Sequence, residues 1–169
     1  VGDAEISLSP GFRWGTTILP GQTITMEHVL DQTCITYPET YVREMSGEQI
    51  KLILEDVCDN LFNPDPFYQQ GGDMVRVGGM DYVCDPLAGA GKRISAMTLD
   101  DGTAVDPARN YRVAGWATVG SQAPGPPIWD VVAEYLRDAG VARIGKLNTP
   151  VLRGVAGNPG LSNYRGVLE

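Results

Sequence analysis

The chain has 169 residues, of which 43% are hydrophobic and 20% are charged, a balance typical of one globular domain with a single core. Its net charge of -8 disfavours nucleic acid or an anionic membrane as a partner. No apolar run approaches the roughly 18–20 residues that would cross a bilayer. We therefore expect any anion-binding site to be local rather than a broad basic surface.

The first predicted element is a strand over residues 4–9, because its apolar residues alternate with polar ones. It leads into the turn 9–15, which reads Ser-Pro-Gly-Phe-Arg-Trp-Gly and is called the arginine turn below. Arg13 offers a planar fork of donors that suits a sulfonate, sulfate or phosphate, and Trp14 would shield that anion from water. The alternative is a solvated surface arginine beside a packed tryptophan.

One short helix and two extended segments are predicted next. The helix covers residues 25–32 and begins at a threonine cap. The extended segments, 34–37 and 40–45, are separated by Pro38, which lacks the N–H group that a central strand needs. Tyr37, beside this break, is either a packed strand residue or a ligand contact.

The clearest helix begins at a capping box, with Ser46 as N-cap and Gln49 as its partner. Apolar residues then recur at the helical spacing of three and four, which predicts one buried face. These residues are Ile50, Ile53, Leu54, Val57, Cys58 and Leu61. On the other face, Lys51, Glu55 and Asp59 are predicted to face water.

The stretch 67–79, called the glycine-rich loop below, combines aromatic, amide, acidic and basic side chains with two glycine pairs. Glycine pairs expose backbone N–H groups that can bind an anion or admit a flexible peptide. The candidate binding residues of this loop are Gln69, Gln70, Gly71, Gly72, Asp73 and Arg76. The alternatives are a hairpin-like turn, and a brace in which Arg76 pairs with Asp73.

The remaining pattern predicts strands and one more amphipathic helix, over 128–138, which ends at Gly140. Extended segments are predicted over 81–84, 94–99, 103–105, 111–116 and 150–155. Trp116 ends one of these strands beside a glycine-bearing loop, where its ring either stacks on a ligand or packs in the core. Together the elements predict an α+β fold, a mixed β-sheet with two main amphipathic helices packed on it.

The cysteines and the one histidine limit the chemistry that this chain could perform alone. Cys34, Cys58 and Cys84 form no C-x-x-C motif; Cys58 lies in the apolar helix stripe, and a bridge between Cys34 and Cys84 is possible but not deducible. Dinuclear metal sites draw several histidine and aspartate ligands, and His28 is the single histidine. Any hydrolytic metal site or nucleophile is therefore predicted to lie on another domain or chain.

The order of these elements resembles the C-terminal domain of the 5'-nucleotidase family over nearly the whole chain. In detail the chain is similar to the SoxB-type thiosulfohydrolases of bacterial sulfur oxidation. The stretches that carry this closer similarity are 9–15, 36–41, 67–79 and 150–160. The resemblance implies that residues 1–169 are one C-terminal, substrate-binding domain of a larger two-domain enzyme. Its N-terminal metallophosphoesterase domain would hold two metal ions, typically manganese.

The resemblance also implies roles for single residues. Nucleotidases have an Asn-Gly-Gly-x-Arg turn where this chain has Ser9 to Arg13, so Arg13 matches a catalytic, anion-binding arginine. The base-stacking aromatics of that family fall near Tyr37 and Trp116. The acid that holds the ribose hydroxyls falls on Gln122, and its loss argues against a nucleotide and favours a substrate without a sugar.

The implied substrate is a thiosulfonate carried on a cysteine of a SoxYZ-type carrier protein, and hydrolysis in the periplasm would release sulfate. The chain by itself would be inactive, with no metal, nucleic acid or membrane bound to it. Two other functions stay open at this point. One is a 5'-nucleotidase or related phosphoesterase domain, and the other is a non-catalytic module that docks a carrier protein.

Overall fold

The computed structural model describes residues 3–11, 17–33, 37–71, 73–117, 123–140 and 146–155. Within these ranges the chain forms seven strands, three α-helices and a short 3₁₀ helix, Pro66–Tyr68. The strands are β1 Ile6–Ser9, β2 Thr40–Ser46, β3 Arg76–Gly78, β4 Met80–Cys84, β5 Ile94–Leu99, β6 Asn110–Trp116 and β7 Val151–Leu152. The helices are α1 Met26–Thr33, α2 Gly47–Phe62 and α3 Ile128–Ala139. None of the described helices has the length and apolar character needed to cross a membrane.

The strands form two mixed sheets. This confirms the predicted α+β fold, but the strands are divided between two sheets where one mixed sheet was predicted. The larger sheet has the order β2-β6-β1-β3, with β1 parallel to β6 and the outer strands antiparallel to their neighbours. The smaller sheet has the order β5-β4-β7. The division occurs at Gly79, whose φ of 82° turns the chain between β3 and β4. A Cβ at Gly79 would lie 2.1 Å from the carbonyl oxygen of Glu5, so the turn needs glycine.

The core lies between α2 and the inner faces of the two sheets. Its fully buried members come from β1, α2, β4, β5 and β6, and are Ile6, Ile50, Leu54, Cys58, Met80, Ile94, Tyr111 and Val113. The alternation predicted for the first strand is confirmed, because Ile6 and Leu8 are buried whereas Ser7 between them is exposed. The opposite face of the larger sheet, on which Ser7 lies, is therefore separate from this core.

The capping box of α2 is confirmed, with the Gln49 backbone N–H donating to Ser46 Oγ at 3.2 Å and the Ser46 N–H donating to Gln49 Oε1 at 2.8 Å. The predicted exposure of Glu55 is wrong, since only 6% of this residue is exposed. Its carboxylate accepts hydrogen bonds from the backbone N–H groups of the chain segment 91–94, which covers this flank of the helix.

The two other helices agree with prediction at their ends. Thr25 caps α1, with the His28 backbone N–H donating to Thr25 Oγ1 at 3.4 Å and the Thr25 N–H donating to His28 Nδ1 at 3.0 Å. The single histidine therefore completes a helix cap. Gly140 ends α3 in the left-handed conformation, with φ of 68°. The predicted strand 103–105 is reduced to one bridge between Thr98 and Ala104.

Candidate functional site

One edge of the larger sheet brings most of the predicted site segments together. Because β1 and β6 are parallel, their carboxyl ends meet at this edge, and the antiparallel strands β2 and β3 begin there. The register pairs Ser9 with Arg76 and Thr40 with Trp116. We call the edge marked by these four residues the site edge. At ordinary strand spacing it is about 14 Å wide, which suits a small anion and the group that carries it.

The arginine turn leaves the site edge directly after Ser9, and its start contacts the glycine-rich loop. Gly11 is buried, and a Cβ built on it would lie 2.7 Å from Cβ and 2.8 Å from Oδ2 of Asp73. The close approach therefore requires glycine at position 11. Arg13 and Trp14 lie outside the described residues, two and three positions further along this turn.

The first part of the glycine-rich loop is exposed and is anchored by two hydrogen bonds. Gln69 Nε2 donates to the Asn63 carbonyl oxygen at 2.7 Å, and the Gly71 N–H donates to the Asn60 carbonyl oxygen at 3.3 Å. These bonds hold the first part of the loop against the carboxyl end of α2, so the Gln69 amide already has a structural role. Gln70 is exposed in the same segment, and Gly72 lies outside the described residues.

Asp73 and Arg76 occupy the part of the loop that reaches the site edge. Both residues are exposed, and the ion pairs found in the described part of the chain do not join them. The bracing interaction considered from the sequence is therefore not formed. Asp73 instead packs against Gly11, and Arg76 stands at the first position of β3, opposite Ser9.

The segment that carries Tyr37 is clamped to the start of α3. The Ile128 N–H donates to the Pro38 carbonyl oxygen at 2.8 Å, and the Thr40 N–H and Oγ1 both donate to the Pro126 carbonyl oxygen, at 3.0 and 2.8 Å. The clamp places Tyr37 three residues before the site edge with 37% of the residue exposed, so its ring is accessible to a ligand. Gln122, between Trp116 and this clamp in sequence, lies outside the described residues.

Trp116 lines a groove of about 830 Å³ on the face of the larger sheet that is opposite Ile6 and Leu8. Small or apolar side chains form its floor, and α3 closes one side. The residues that define it are Ser7, Val42, Ala114, Trp116, Ile128 and Val131. Sequence reasoning missed this groove, although the alternation that buries Ile6 and Leu8 also places Ser7 on the opposite face. What the pattern lacked was the strand order, which aligns Ser7 and Val42 on either side of Ala114.

The positive charge of Lys146, which also lines the groove, is compensated by two aspartate carboxylates. Lys146 Nζ lies 2.8 Å from Asp81 Oδ2 and 2.6 Å from Asp100 Oδ1. The hydrogen bonds from Lys146 lower the pKa of both carboxyl groups below the ordinary aspartate value. Asn148 donates to the same two carboxylates, at 3.0 and 2.7 Å. This cluster ties the 146–148 segment to the smaller sheet, and it is unsuited to hold a further anion.

The described residues do not form a cation site of their own. Among residues 3–11, 17–33, 37–71, 73–117, 123–140 and 146–155, no group of three or more His, Cys, Asp or Glu side chains is placed to hold a metal ion. The candidate side chains placed at or near the site edge are those of Arg76, which is exposed, of Trp116, which lines the groove, and of Tyr37, three residues before the edge.

Comparison with known proteins identifies the family. The model of the 5'-nucleotidase C-terminal domain matches residues 2–134. No curated protein sequence matches the chain. Among solved structures, it is similar to the sulfate thiohydrolase SoxB of Thermus thermophilus, with 43% identity and a TM-score of 0.79 over 90% of this chain and 29% of that one.

Two nucleotidase structures share the fold at lower identity. A putative 5'-nucleotidase from Staphylococcus aureus has 19% identity and a TM-score of 0.69, over 89% of this chain and 33% of that one. A 5'-nucleotidase precursor from Thermus thermophilus has 19% identity and a TM-score of 0.66, over 88% of this chain and 31% of that one. The chain thus spans about a third of each relative. The resemblance stated from the sequence is confirmed, and the chain belongs to the 5'-nucleotidase C-terminal domain family.

Proposed function

We propose that this chain is the substrate-binding domain of a thiosulfohydrolase, in which it holds a thiosulfonate while sulfate is released. The observation that carries this proposal is the 43% identity to a sulfate thiohydrolase over 90% of the chain, against 19% for the two nucleotidases. The resemblance places Gln122 where nucleotidases have the acid that holds the ribose, and this also supports the proposal.

The arginine turn and the site edge are together proposed to supply the groups that such a substrate needs. A sulfonate oxygen pair matches the guanidinium of Arg13, which can donate two parallel hydrogen bonds. Trp116, paired with Thr40, and Tyr37, three residues before Thr40, supply aromatic surface, and Asp73 contacts Gly11 at the start of the arginine turn. The arrangement orients a small anion while leaving its sulfur atom open to attack from a facing domain.

The rest of the enzyme is part of the same proposal. The carrier would be a SoxYZ-type protein, the compartment the periplasm, and the facing domain an N-terminal metallophosphoesterase domain of the same protein. That domain would hold two metal ions, manganese by the resemblance, which supply Lewis acidity for hydrolysis when bound. Within this proposal, the contribution of this chain is substrate positioning.

Product analysis of the full-length protein tests the function directly. We expect sulfate release from a carrier-bound cysteine S-thiosulfonate and no phosphate release from nucleoside monophosphates under the same conditions. Phosphate release without sulfate release would assign the chain to a nucleotidase instead. Tight carrier binding with neither product, in a protein loaded with manganese, would identify a docking module.

The contact between Gly11 and Asp73 gives a second prediction. Gly11→Ala should lower kcat/KM by more than about 10-fold, because the added Cβ meets Asp73 at 2.7 Å and must displace the arginine turn or the loop. Adding Asp73→Gly removes the three atoms nearest to that Cβ and should recover part of the loss, the remainder being the contribution of the Asp73 side chain itself. The control is Gly89→Ala, where an added Cβ meets nothing within 4 Å. Equal activity of the single and double variants would show that the clash does not control the site.

A further inference from the structure

Two buried thiols face each other in the core. Cys58 on α2 is 0% exposed and Cys84 at the end of β4 is 3% exposed. Their sulfur atoms lie 3.5 Å apart, in van der Waals contact. Cys84 is therefore in contact with Cys58. Cys34, considered from the sequence as a partner of Cys84, lies outside the described residues.

We propose that Cys58 and Cys84 form a disulfide bond when the protein folds in the presence of an exchangeable disulfide such as oxidised glutathione. One thiolate attacks the oxidant and forms a mixed disulfide, releasing one reduced thiol. The second cysteine then attacks the protein sulfur and releases the other. Two protein thiols lose two electrons and two protons, and one molecule of oxidant becomes two thiols.

The geometry requires little movement to close this bond. The sulfur atoms must approach by about 1.5 Å to reach the ordinary S–S length. Both residues belong to the same core cluster, together with Leu54, Met80 and Ile94, so the two elements that carry them are already held together. No other described residue competes for either sulfur atom as a disulfide partner.

Burial determines when the exchange can occur. It raises the pKa of the Cys58 thiol to about 12, and it also raises the pKa of Cys84. In the folded protein the reactive thiolate is therefore scarce, and neither sulfur atom is accessible to a soluble oxidant. The bond is expected to form before the core closes, and the folded protein then protects it from reductants.

The crosslink would act on the candidate site through the chain between the two cysteines. That chain, from position 58 to 84, contains the whole glycine-rich loop, including Asp73 and Arg76. A bond between α2 and β4 would restrict both ends of the loop in the unfolded state.

Peptide mapping tests the bond without requiring a variant. The full-length protein is unfolded, refolded with oxidised and reduced glutathione, alkylated in guanidinium without added reductant, and digested with trypsin. Cleavage after Lys51, Arg76 and Lys92 places Cys58 in peptide 52–76 and Cys84 in peptide 77–92, whereas Cys34 falls in peptide 14–43. We expect one species that joins 52–76 to 77–92, lighter by two hydrogens than the sum of the two peptides.

The controls separate this pair from chance oxidation. Cys34→Ser should leave the crosslinked species unchanged, and reduction in guanidinium before alkylation should remove it. Recovery of 52–76 and 77–92 as separate alkylated peptides after the oxidative refolding would overturn the proposal. A species joining 14–43 to 77–92 in place of the expected one would overturn it as well.

Discussion

Replacing Arg13 with alanine in the full-length enzyme should lower kcat/KM for the carrier-bound thiosulfonate by roughly 10²–10³-fold. The guanidinium is proposed to bind two sulfonate oxygens through parallel bonds, and charge on these oxygens increases as the sulfur atom is attacked. Alanine leaves no donor in their place. Arg13→Lys keeps the charge but loses the fork, so it should recover only part of the rate.

The matched control for this experiment is Arg137→Ala, which removes an exposed arginine from the last turn of α3. It changes the net charge by the same amount, so it corrects for weaker long-range attraction of an anionic substrate. We expect its kcat/KM to stay within about twofold of the parent, because Arg137 is exposed and lies at the opposite end of α3 from the clamp to Pro38. Equal activity of the Arg13→Ala and Arg137→Ala proteins would refute the anion-binding assignment.

Replacing Glu55 with glutamine should lower the free energy of unfolding by about 3 kcal/mol, because a buried carboxylate that accepts several hydrogen bonds is lost. The carboxylate accepts from the backbone N–H groups of Gly91, Arg93 and Ile94, at 3.0, 3.2 and 2.8 Å. It also lies 2.6 Å from Lys51 Nζ. A glutamine oxygen can accept only part of these bonds, and its NH₂ group would face other donors.

The destabilisation should depend on pH. Burial raises the pKa of Glu55, but the hydrogen bonds from Lys51 and from the Ile94 and Arg93 backbone together outweigh it, so the pKa lies below the ordinary value of 4.5. A carboxyl group with a lowered folded-state pKa stabilises the protein fully above its unfolded pKa. The difference between the parent and Glu55→Gln should therefore be complete at neutral pH and shrink as the pH falls below 4.5 through the folded-state pKa.

Urea unfolding at pH 7 and at about pH 3.5 measures this effect, with the denaturant slope checked for constancy. Asp56→Asn is the control on the same helix, because Asp56 is exposed and its neutralisation removes one charge of the same sign. We expect that variant to stay within about 0.5 kcal/mol of the parent at both pH values. A Glu55→Gln protein as stable as Asp56→Asn at neutral pH would show that the carboxylate contributes nothing.

Glu55 also shows the limit of reasoning from periodicity. The spacing of three and four correctly identified the stripe of α2 that is buried in the core, including Ile50 and Leu54. It placed Glu55 on the opposite face because it considers one helix in isolation. The 91–94 segment, more than thirty positions away in sequence, covers that flank and gives the carboxylate its partners. A local pattern has no information about such a partner.

The candidate site shows the same limit, since the sequence indicates single residues but not how they are arranged. The sequence identified Tyr37, Asp73, Arg76 and Trp116 separately, from aromatic positions and from a glycine-rich composition. Their assembly depends on β1 and β6 being parallel neighbours with β2 and β3 antiparallel outside them, which no local signal encodes. For the same reason the groove lined by Trp116 could not be expected, since its floor is formed by small side chains from strands far apart in sequence.

By itself the sequence determined the family, the helix caps, the inner face of α2 and the chemical types available for binding an anion. These properties depend on residues within a few positions of each other, where side-chain and backbone geometry leave few choices. Only the tertiary structure decided the division into two sheets, the burial of Glu55, the contact between Gly11 and Asp73, and the contact between the sulfur atoms of Cys58 and Cys84. Each of these requires two segments distant in sequence to meet, and that meeting is set by strand order and by the packing of the whole core.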